Sequence, residues 1–406
     1  MITDWEKDSI NNTKADLWEA ETSTFAAYAA RKHVPLFTTF ELTARCNLKC
    51  KMCYVQMSPK QIAESNKKEL TTKQWIKLAE DAAEQGALYM LITGGEPLIR
   101  EDFTEIYTEL SHMGFLISLA TNGSLIDEKY AKLLAKYPPT CTLVTLYGAD
   151  SETYQSMCDN GAAFDKTIRG LEYLKDISTF LEVRTTFTKY NKDQLEQLRE
   201  IGHRYTKRYA INYMVFGTLP GVCSPVSECR LSPVECYDID ENNRIYYQEK
   251  RKKAMEEAKA KGIKIGSEEK PLDVSFESNQ KLDQEPKKEK DRGYGVPPTV
   301  LTCLSAKANC DITWDGRMVA CGAFSSPYTL PLEEGFKKAW DRLPTLFEGI
   351  THPKKCQGCE YFNGCPNCLA YLQSETGSFD KAPEYICAIA KERRRRRILR
   401  ESRGNE

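Results

Sequence analysis

The sequence CNLKCKMC, residues 46–53, places three cysteines, Cys46, Cys50 and Cys53, directly after the apolar segment LFTTFELT (36–43). A short apolar run of this kind predicts a buried β-strand. The cysteines therefore follow the carboxyl end of a first strand, where α/β barrels place their reactive groups. Three thiolates at this spacing can bind three irons of a cubane cluster and leave the fourth iron open. A zinc ion that takes a distant fourth ligand is the alternative.

Five further apolar runs follow, each separated from the next by a segment with the apolar period of a helix. They are residues 88–93, 115–121, 141–148, 181–188 and 209–216. Continuous apolar runs favour a parallel sheet that is covered by helices. Six strand–helix units predict an α/β fold whose sheet curls toward a barrel without closing as an eight-unit barrel does.

Composition excludes several classes of protein. The chain has 406 residues, a net charge of −1 and 16 cysteines. A nearly neutral chain lacks the positive charge by which nucleic-acid-binding proteins attach to phosphates. No apolar run is long enough to span a membrane and the polar start is unlike a signal peptide, so we expect a cytoplasmic protein. Disulfides do not persist there, so the cysteines indicate metal or redox chemistry.

Changes of composition divide the chain into five parts. We predict an N-terminal helical segment over 1–34, an α/β domain over 35–240, a charged helix and linker over 241–298, a cysteine-rich domain over 299–390 and a basic tail over 391–406. The tail, KERRRRRILRESRGNE, is predicted to be a solvated helix end rather than a nucleic-acid-binding segment.

The second predicted strand runs into the turn Gly94-Gly95-Glu96-Pro97. Two glycines allow the backbone to approach a ligand closely. The carboxylate of Glu96 can accept hydrogen bonds from an ammonium group. Because this turn and the three-cysteine loop end neighbouring strands, the two together predict one site.

The loop CNLKCKMC followed by the turn GGEP (94–97) resembles the radical S-adenosylmethionine (SAM) superfamily over residues 36–216. The resemblance implies a partial (βα)6 barrel. It also implies a [4Fe–4S] cluster on Cys46, Cys50 and Cys53, with SAM bound to the open iron. In this family the reduced cluster cleaves SAM to methionine and a 5′-deoxyadenosyl radical, which abstracts a hydrogen atom from the substrate. The implied electron donor is a flavodoxin or a ferredoxin.

The resemblance also assigns SAM contacts to residues at the strand ends. Glu96, with Gly94 and Gly95 beside it, is expected to bind the SAM ammonium group. By position, Thr145 would contact the ribose and Arg184 would contact the SAM carboxylate.

The chain departs from the family pattern at the third cysteine. The residue before this cysteine is often aromatic in the family, and here it is Met52. The aromatic residue Tyr54 follows the cysteine instead, so Tyr54 is the expected cofactor contact.

A second group of cysteines lies near the C-terminus. Its members are Cys303, Cys310, Cys321, Cys356, Cys359, Cys365, Cys368 and Cys387. Eight is the number of ligands that two fully ligated [4Fe–4S] clusters need. A pair of structural zinc sites is the alternative.

The spacing of these cysteines is similar to the SPASM extension of radical SAM enzymes that modify peptides. Gly316, the four-residue gap to Cys321 and the Cys-x2-Cys-x5-Cys run carry that resemblance. The inner of the two implied auxiliary clusters would take Cys303, Cys310, Cys321 and Cys368. The outer cluster would take Cys356, Cys359, Cys365 and Cys387. The implied cofactors are therefore SAM and three [4Fe–4S] clusters.

The SPASM resemblance implies a peptide or protein substrate, and we expect a thioether or carbon–carbon crosslink in a ribosomally made peptide. Gly322 stands where sulfatase maturases typically carry an Asp, which counts against that branch. The residues before Cys46 show no β-hairpin pattern. We therefore expect a leader peptide to need either a separate binding protein or none.

Other functions stay open from sequence. Cys223 and Cys229 follow the sixth predicted strand and could donate a hydrogen atom, which would make the protein a peptide epimerase. Cys236 lies in the same stretch, and all three could be ordinary loop thiols. Two alternatives remain. One is a radical SAM enzyme that acts on a small metabolite, and the other is a non-enzymatic zinc-ribbon interaction protein.

Overall fold

The computed structural model describes residues 24–177, 180–220, 222, 224–260, 301 and 303–403. The predicted linker (267–298) and most of the predicted N-terminal segment (1–23) lie outside the described residues. Within the described ranges no helix is both long enough and apolar enough to cross a membrane.

The strands of the described residues form one sheet, in the order β6-β5-β4-β3-β2-β1-β7-β8. Their bounds are Phe37–Glu41 (β1), Tyr89–Thr93 (β2), Leu116–Thr121 (β3), Cys141–Thr145 (β4), Phe180–Thr186 (β5), Arg208–Asn212 (β6), Asn309–Ile312 (β7) and Met318–Val319 (β8). Neighbouring strands are parallel except β7 and β8. Because β6 and β8 end the sheet without pairing to each other, the barrel is open, as predicted.

Helices lie between the strands and after β6. They are 24–32 (α1), Pro59–Glu64 (α2), Thr72–Glu84 (α3), Phe103–His112 (α4), Glu128–Lys136 (α5), Ser151–Cys158 (α6), Ala163–Leu174 (α7), Leu195–Tyr205 (α8), Val226–Cys229 (α9), Pro233–Ala260 (α10), Pro331–Glu334 (α11), Phe336–Arg342 (α12), Leu369–Thr376 (α13) and Glu384–Arg403 (α14). The strand–helix alternation up to β6 confirms the fold class expected from the sequence.

Local sequence explains where these helices begin. Thr71 caps α3 by a reciprocal pair of hydrogen bonds with Gln74, which satisfies amides that have no partner inside the helix. Asp127 and Asp150 accept from the first turns of α5 and α6 in the same manner. The caps of α5 and α6 start these helices soon after β3 and β4 end, which keeps the two connections short.

The two faces of the strands differ in burial. In β2, Met90 and Ile92 are buried under the helices, whereas Leu91 and Thr93 are half-buried. β3 and β4 alternate in the same way. The convex face of the sheet is therefore the packed core, and the concave face lines an open interior.

The cysteine-rich part of the chain extends this sheet. β7 pairs in parallel with β1, from Phe37 opposite Asn309 to Phe40 opposite Ile312. At the C-terminus, α14 runs through the predicted boundary at 391 and packs against α10, so the basic tail begins inside a helix. The C-terminal thiols are thus attached to the barrel by a shared strand.

Candidate active site

The three-cysteine loop (46–53) is anchored on the last turn of α6. The amide of Lys49 donates to the carbonyl oxygen of Cys158, and the amide of Lys51 donates to that of Met157, both at 3.0 Å. The last carbonyl groups of a helix have no partner within it, so they are free to accept. A segment distant in sequence therefore fixes the loop.

Backbone amides and burial shape the surroundings of the thiols. The amide of Leu48 donates to Cys46 Sγ at 3.4 Å, and the amide of Gln56 donates to Cys53 Sγ at 3.2 Å. Such bonds stabilise the sulfurs of an iron–sulfur cluster and tune its reduction potential. Burial raises the pKa of Cys46 far above its usual range and that of Cys53 to about 12. A metal that binds here must displace these protons.

Two residues beside the loop have no role in the sequence predictions. The Sγ of Cys158 lies 3.5 Å from the Sγ of Cys50. The hydroxyl of Tyr147 hydrogen-bonds to the Cys50 thiol and lies near Cys46 and Cys53. Tyr147 lies just beyond the carboxyl end of β4. This position could have identified it as a site residue from the sequence. Cys158 carries no comparable signal.

The glycines of the GGEP turn are needed because two backbone segments meet there. The amide of Gly95 donates to the Thr43 carbonyl at 2.6 Å, and that of Glu96 donates to the Arg45 carbonyl at 2.9 Å. A Cβ on Gly94 would stand 2.6 Å from the Thr43 oxygen, and one on Gly95 would overlap the Arg45 oxygen. The backbone that closely approaches these glycines is therefore the protein's own, at Thr43 and Arg45.

Glu96 joins the ends of β2 and β3. Its carboxylate accepts from the amides of Leu98 at 3.1 Å and Asn122 at 2.7 Å, and from the hydroxyl of Thr121 at 2.9 Å. The side chain is fully buried, and burial raises the pKa of Glu96 to about 7. Three donors leave about one acceptor position of the carboxylate for a ligand. The role in ammonium binding stays a prediction.

The other predicted SAM contacts lie on the concave face. Thr145 and Arg184 are paired in register on β4 and β5. The guanidinium of Arg184 is already ion-paired with Glu182. Both residues thus line the interior, and neither is next to Glu96 in the sheet order.

An acidic wall, formed by Glu41 and Asp311, lies near Tyr54 between the loop and the C-terminal thiols. Burial and the nearby carboxylates of Asp315 and Asp311 raise the pKa of Glu41 to about 8. The Tyr54 ring packs on Phe216 with centroids 5.3 Å apart, and Phe216 stacks on Tyr371 at 4.4 Å. An unbroken row of aromatic rings therefore links the two halves of the site.

Four C-terminal cysteines form the outer thiol group, as the resemblance implied. They are Cys356, Cys359, Cys365 and Cys387. Burial and the proximity of the other three thiols raise the pKa of Cys365 to about 12. The structure thus brings together the set assigned to the outer cluster.

The inner thiol group contains three of the four cysteines assigned to it. Cys321 lies near Cys303 and Cys368, and burial together with these neighbours raises its pKa. Cys310 is fully buried in the hydrophobic core, with Thr38 as its hydrogen-bond partner. The structure does not bring Cys310 to the other three thiols.

Over the described ranges no three His, Cys, Asp or Glu side chains stand close enough to share one metal ion. A cubane cluster binds each thiolate to a different iron, so its ligands need not converge on one point. The finding therefore applies to sites for a single metal ion and not to a cubane cluster.

Of the thiols considered as hydrogen-atom donors, the two that the structure describes are buried. Cys229, in α9, is 1% exposed, and its thiol donates to the Val226 carbonyl at 3.4 Å. Cys236 donates to the Tyr213 carbonyl at 3.1 Å. Cys223 lies outside the described residues.

A family model identifies the domain that carries the three-cysteine loop. The model of the radical SAM superfamily matches residues 40–204. The chain contains a radical SAM domain. The match covers β2–β5 completely and includes both the loop and the GGEP turn.

The relatives that the chain matches differ in how much of the chain they cover. The AdoMet-dependent heme synthase of Methanosarcina barkeri is 25% identical, over 88% of this chain and 97% of its own length. The mycofactocin maturase MftC of Mycolicibacterium smegmatis is 32% identical, over 42% of this chain and 42% of its own length. Similarity to the maturase is therefore higher but confined to part of the chain.

Solved structures agree with the fold. SuiB of Streptococcus suis superposes with a TM-score of 0.60 at 17% identity, over 90% of this chain and 81% of its own. At this identity the likeness concerns architecture, including the region beyond the radical SAM domain.

The residues of the radical SAM domain fit the cofactors that the superfamily uses. Cys46 and Cys50 of the three-cysteine loop line a cavity of about 400 Å³, together with Lys49 and Lys51. Thiolates suit an iron–sulfur cluster, and the lysines suit an anionic group such as the carboxylate of SAM. Backbone amides also donate hydrogen bonds to the sulfurs of Cys46 and Cys53, which suits thiolates that bind a cluster.

Proposed function

We propose that this radical SAM enzyme oxidises a peptide substrate and forms a thioether or carbon–carbon crosslink in it. The bound cluster and SAM would supply the 5′-deoxyadenosyl radical that removes a hydrogen atom. The protein's own residues would hold the substrate against this site and keep water out. Cys46, Cys50 and Cys53 are the proposed cluster ligands.

The proposal rests on the position of Tyr54, which has thiols of both the three-cysteine loop and the inner thiol group as neighbours. Tyr54 lies near Cys53 of the loop and near Cys321 of the inner thiol group. A substrate at Tyr54 would therefore contact both regions. Bond formation after hydrogen abstraction is a net oxidation, so it needs an electron acceptor close to the substrate. An inner auxiliary cluster beside Tyr54 would meet this need.

The acidic wall supports a peptide as the substrate. Glu41 and Asp311 lie near Tyr54. The carboxyl oxygens of Glu41 can accept hydrogen bonds from peptide N–H groups or from an amine. A peptide substrate also agrees with the maturase relative, since MftC is a mycofactocin maturase.

A heme-forming reaction is the second candidate. The heme synthase relative matches 88% of this chain, including the cysteine-rich part. Against it, the four histidines, which could bind a heme iron, lie away from the strands: His33 follows α1, His112 ends α4, His203 lies in α8 and His352 lies near the outer thiol group.

Anaerobic reconstitution with iron and sulfide tests the function in stages. We expect about twelve irons and twelve sulfides per chain, four for each cluster, and 5′-deoxyadenosine once SAM and a reduced flavodoxin or ferredoxin are added. Zinc without sulfide would contradict the enzyme proposal and favour the zinc-ribbon alternative.

Substrate assays then separate the remaining alternatives. We would incubate the enzyme with short peptides encoded beside its gene, with any adjacent leader-binding protein, in deuterated buffer. Loss of two hydrogens from the peptide supports a crosslink. Gain of one deuteron at carbon, abolished in Cys229→Ala, would indicate an epimerase. Conversion of an iron porphyrin to heme, with no change in the peptides, would favour the second candidate.

A further inference from the structure

Strand β7 presents neighbouring residues to opposite faces of the sheet. Cys310 and Ile312 are fully buried on the convex face, and Asn309 and Asp311 are half-buried on the other. Because side chains alternate along a strand, Cys310 and Asp311 cannot point to the same side. Cys310 pairs in register with Thr38 of β1, and its thiol contacts that side chain. Cys310 is thus a core residue.

The turn after β8 brings Cys321 to the face that Asp311 occupies. Asp311 is opposite Val319 in the antiparallel pair of β7 and β8. Residues directly opposite each other share a face, so continuing this register sets Ala320 with Cys310 and Cys321 with the Asp311 side. Burial agrees, because Ala320 is fully buried and Cys321 is not.

Asp311 reaches the backbone next to Cys321. Its Oδ2 lies 3.0 Å from the point where a Cβ on Gly322 would stand. Its Oδ1 accepts from the side-chain amide of Asn309 at 3.0 Å, which orients the carboxylate. The absence of a side chain at Gly322 is what leaves room for this carboxylate beside the inner thiol group.

We propose that the inner cluster is bound by Cys303, Cys321 and Cys368 and that the carboxylate of Asp311 is its fourth ligand in place of Cys310. This inference rests on the proposed function for the presence of the cluster. Carboxylates are established iron ligands in proteins, and they are harder donors than thiolates. The iron on Asp311 is therefore held less tightly than the three irons on cysteine.

Metal content of two cysteine variants tests the first half of this proposal. Cys310→Ala and Cys321→Ala are reconstituted anaerobically as full chains beside the wild type. We expect Cys310→Ala to keep about twelve irons and Cys321→Ala to fall to about eight, since each cluster holds four. A fall to about eight in Cys310→Ala overturns the proposal. If Cys310→Ala does not fold, Cys310→Val fills the core position and carries the same comparison.

Asp311 variants test the second half by electron paramagnetic resonance. On mild oxidation we expect Asp311→Ala to lose about one iron per chain and to give the signal of a three-iron cluster, which Asp311→Cys does not give. A spectrum and iron content of Asp311→Ala identical to those of the wild type would overturn the assignment. Failure of the proposed function is distinguishable, because it would show as zinc or missing sulfide in the wild-type protein.

Discussion

The three-cysteine loop (46–53) and the outer thiol group (356–387) both hold cysteines at short spacing, but the fold supports them in different ways. The loop is bonded through its backbone to α6, and the residues just before it are bonded to the GGEP turn. The outer thiol group is built mainly from local turns, such as the bond from the Cys359 amide to the Cys356 carbonyl at 3.2 Å.

This difference separates two kinds of motif. The geometry of the loop depends on elements far away in sequence, so a change in those elements disturbs the site. The outer thiol group carries most of its geometry in its own spacing, and α14 adds bonds from outside, including Arg394 to the Glu360 carbonyl at 2.8 Å. We therefore expect the two regions to respond differently to equivalent substitutions.

The largest expected effect follows from removing the thiols of each region. Replacing Cys46, Cys50 and Cys53 by Ala should abolish reductive SAM cleavage and leave about eight of about twelve irons. Replacing the four outer cysteines should also leave about eight irons but preserve 5′-deoxyadenosine formation. Chromatography of the products and iron analysis measure both. Retained 5′-deoxyadenosine in the first variant would contradict the assignment of the loop.

A glycine in each region gives the second test. A Cβ on Gly95 would overlap the Arg45 oxygen, whereas one on Gly364 meets nothing within 4 Å. Gly95→Ala should lower the free energy of unfolding by at least about 1–3 kcal/mol, the usual cost of overpacking. Gly364→Ala serves as the matched control and should change it by less than about 1 kcal/mol. Equal melting temperatures of the two variants would contradict the difference between the regions.

The sequence predicted the features that depend on neighbouring residues in the chain, and it missed those that depend on tertiary contacts. The six barrel strands, the helices between them and the position of the loop after β1 follow from apolar patterns, because those patterns record local burial. The outer thiol group also follows from its spacing.

Tertiary contacts account for the remainder. Tyr147 and Cys158 reach the loop only because β4 and α6 return to it. The placement of Cys310 depends on which face of a four-residue strand is covered, and cysteine spacing does not encode this. The sequence analysis did not predict that the GGEP glycines pack against the backbone of Thr43 and Arg45.

A glutamate beside the three-cysteine loop allows a test by pH. Glu41 ends β1, just before the loop, and its pKa is raised from 4.5 to about 8 by burial and by the carboxylates of Asp315 and Asp311. A raised folded-state pKa stabilises the protein fully below about 4.5, and this contribution is lost as the pH rises through about 8. The unfolding free energy of the wild type should therefore fall by on the order of a few kcal/mol across this pH window. In Glu41→Gln this part of the fall should be absent. Denaturant unfolding at several pH values measures it, and parallel profiles would contradict it.

The smallest expected effect concerns Glu360, which follows Cys359 in the outer thiol group. Its carboxylate pairs with Arg394 at 3.3 Å, with side chains 62% and 38% exposed, so water and salt screen the attraction. Glu360→Gln should therefore change the unfolding free energy by less than about 1 kcal/mol, and the change should vanish in concentrated salt. Arg394→Ala should cost more, because it also removes the bond to the Glu360 carbonyl and the contact with the Tyr361 ring. A larger loss in Glu360→Gln than in Arg394→Ala would mean that charge pairing, rather than backbone bonding, holds the outer thiol group.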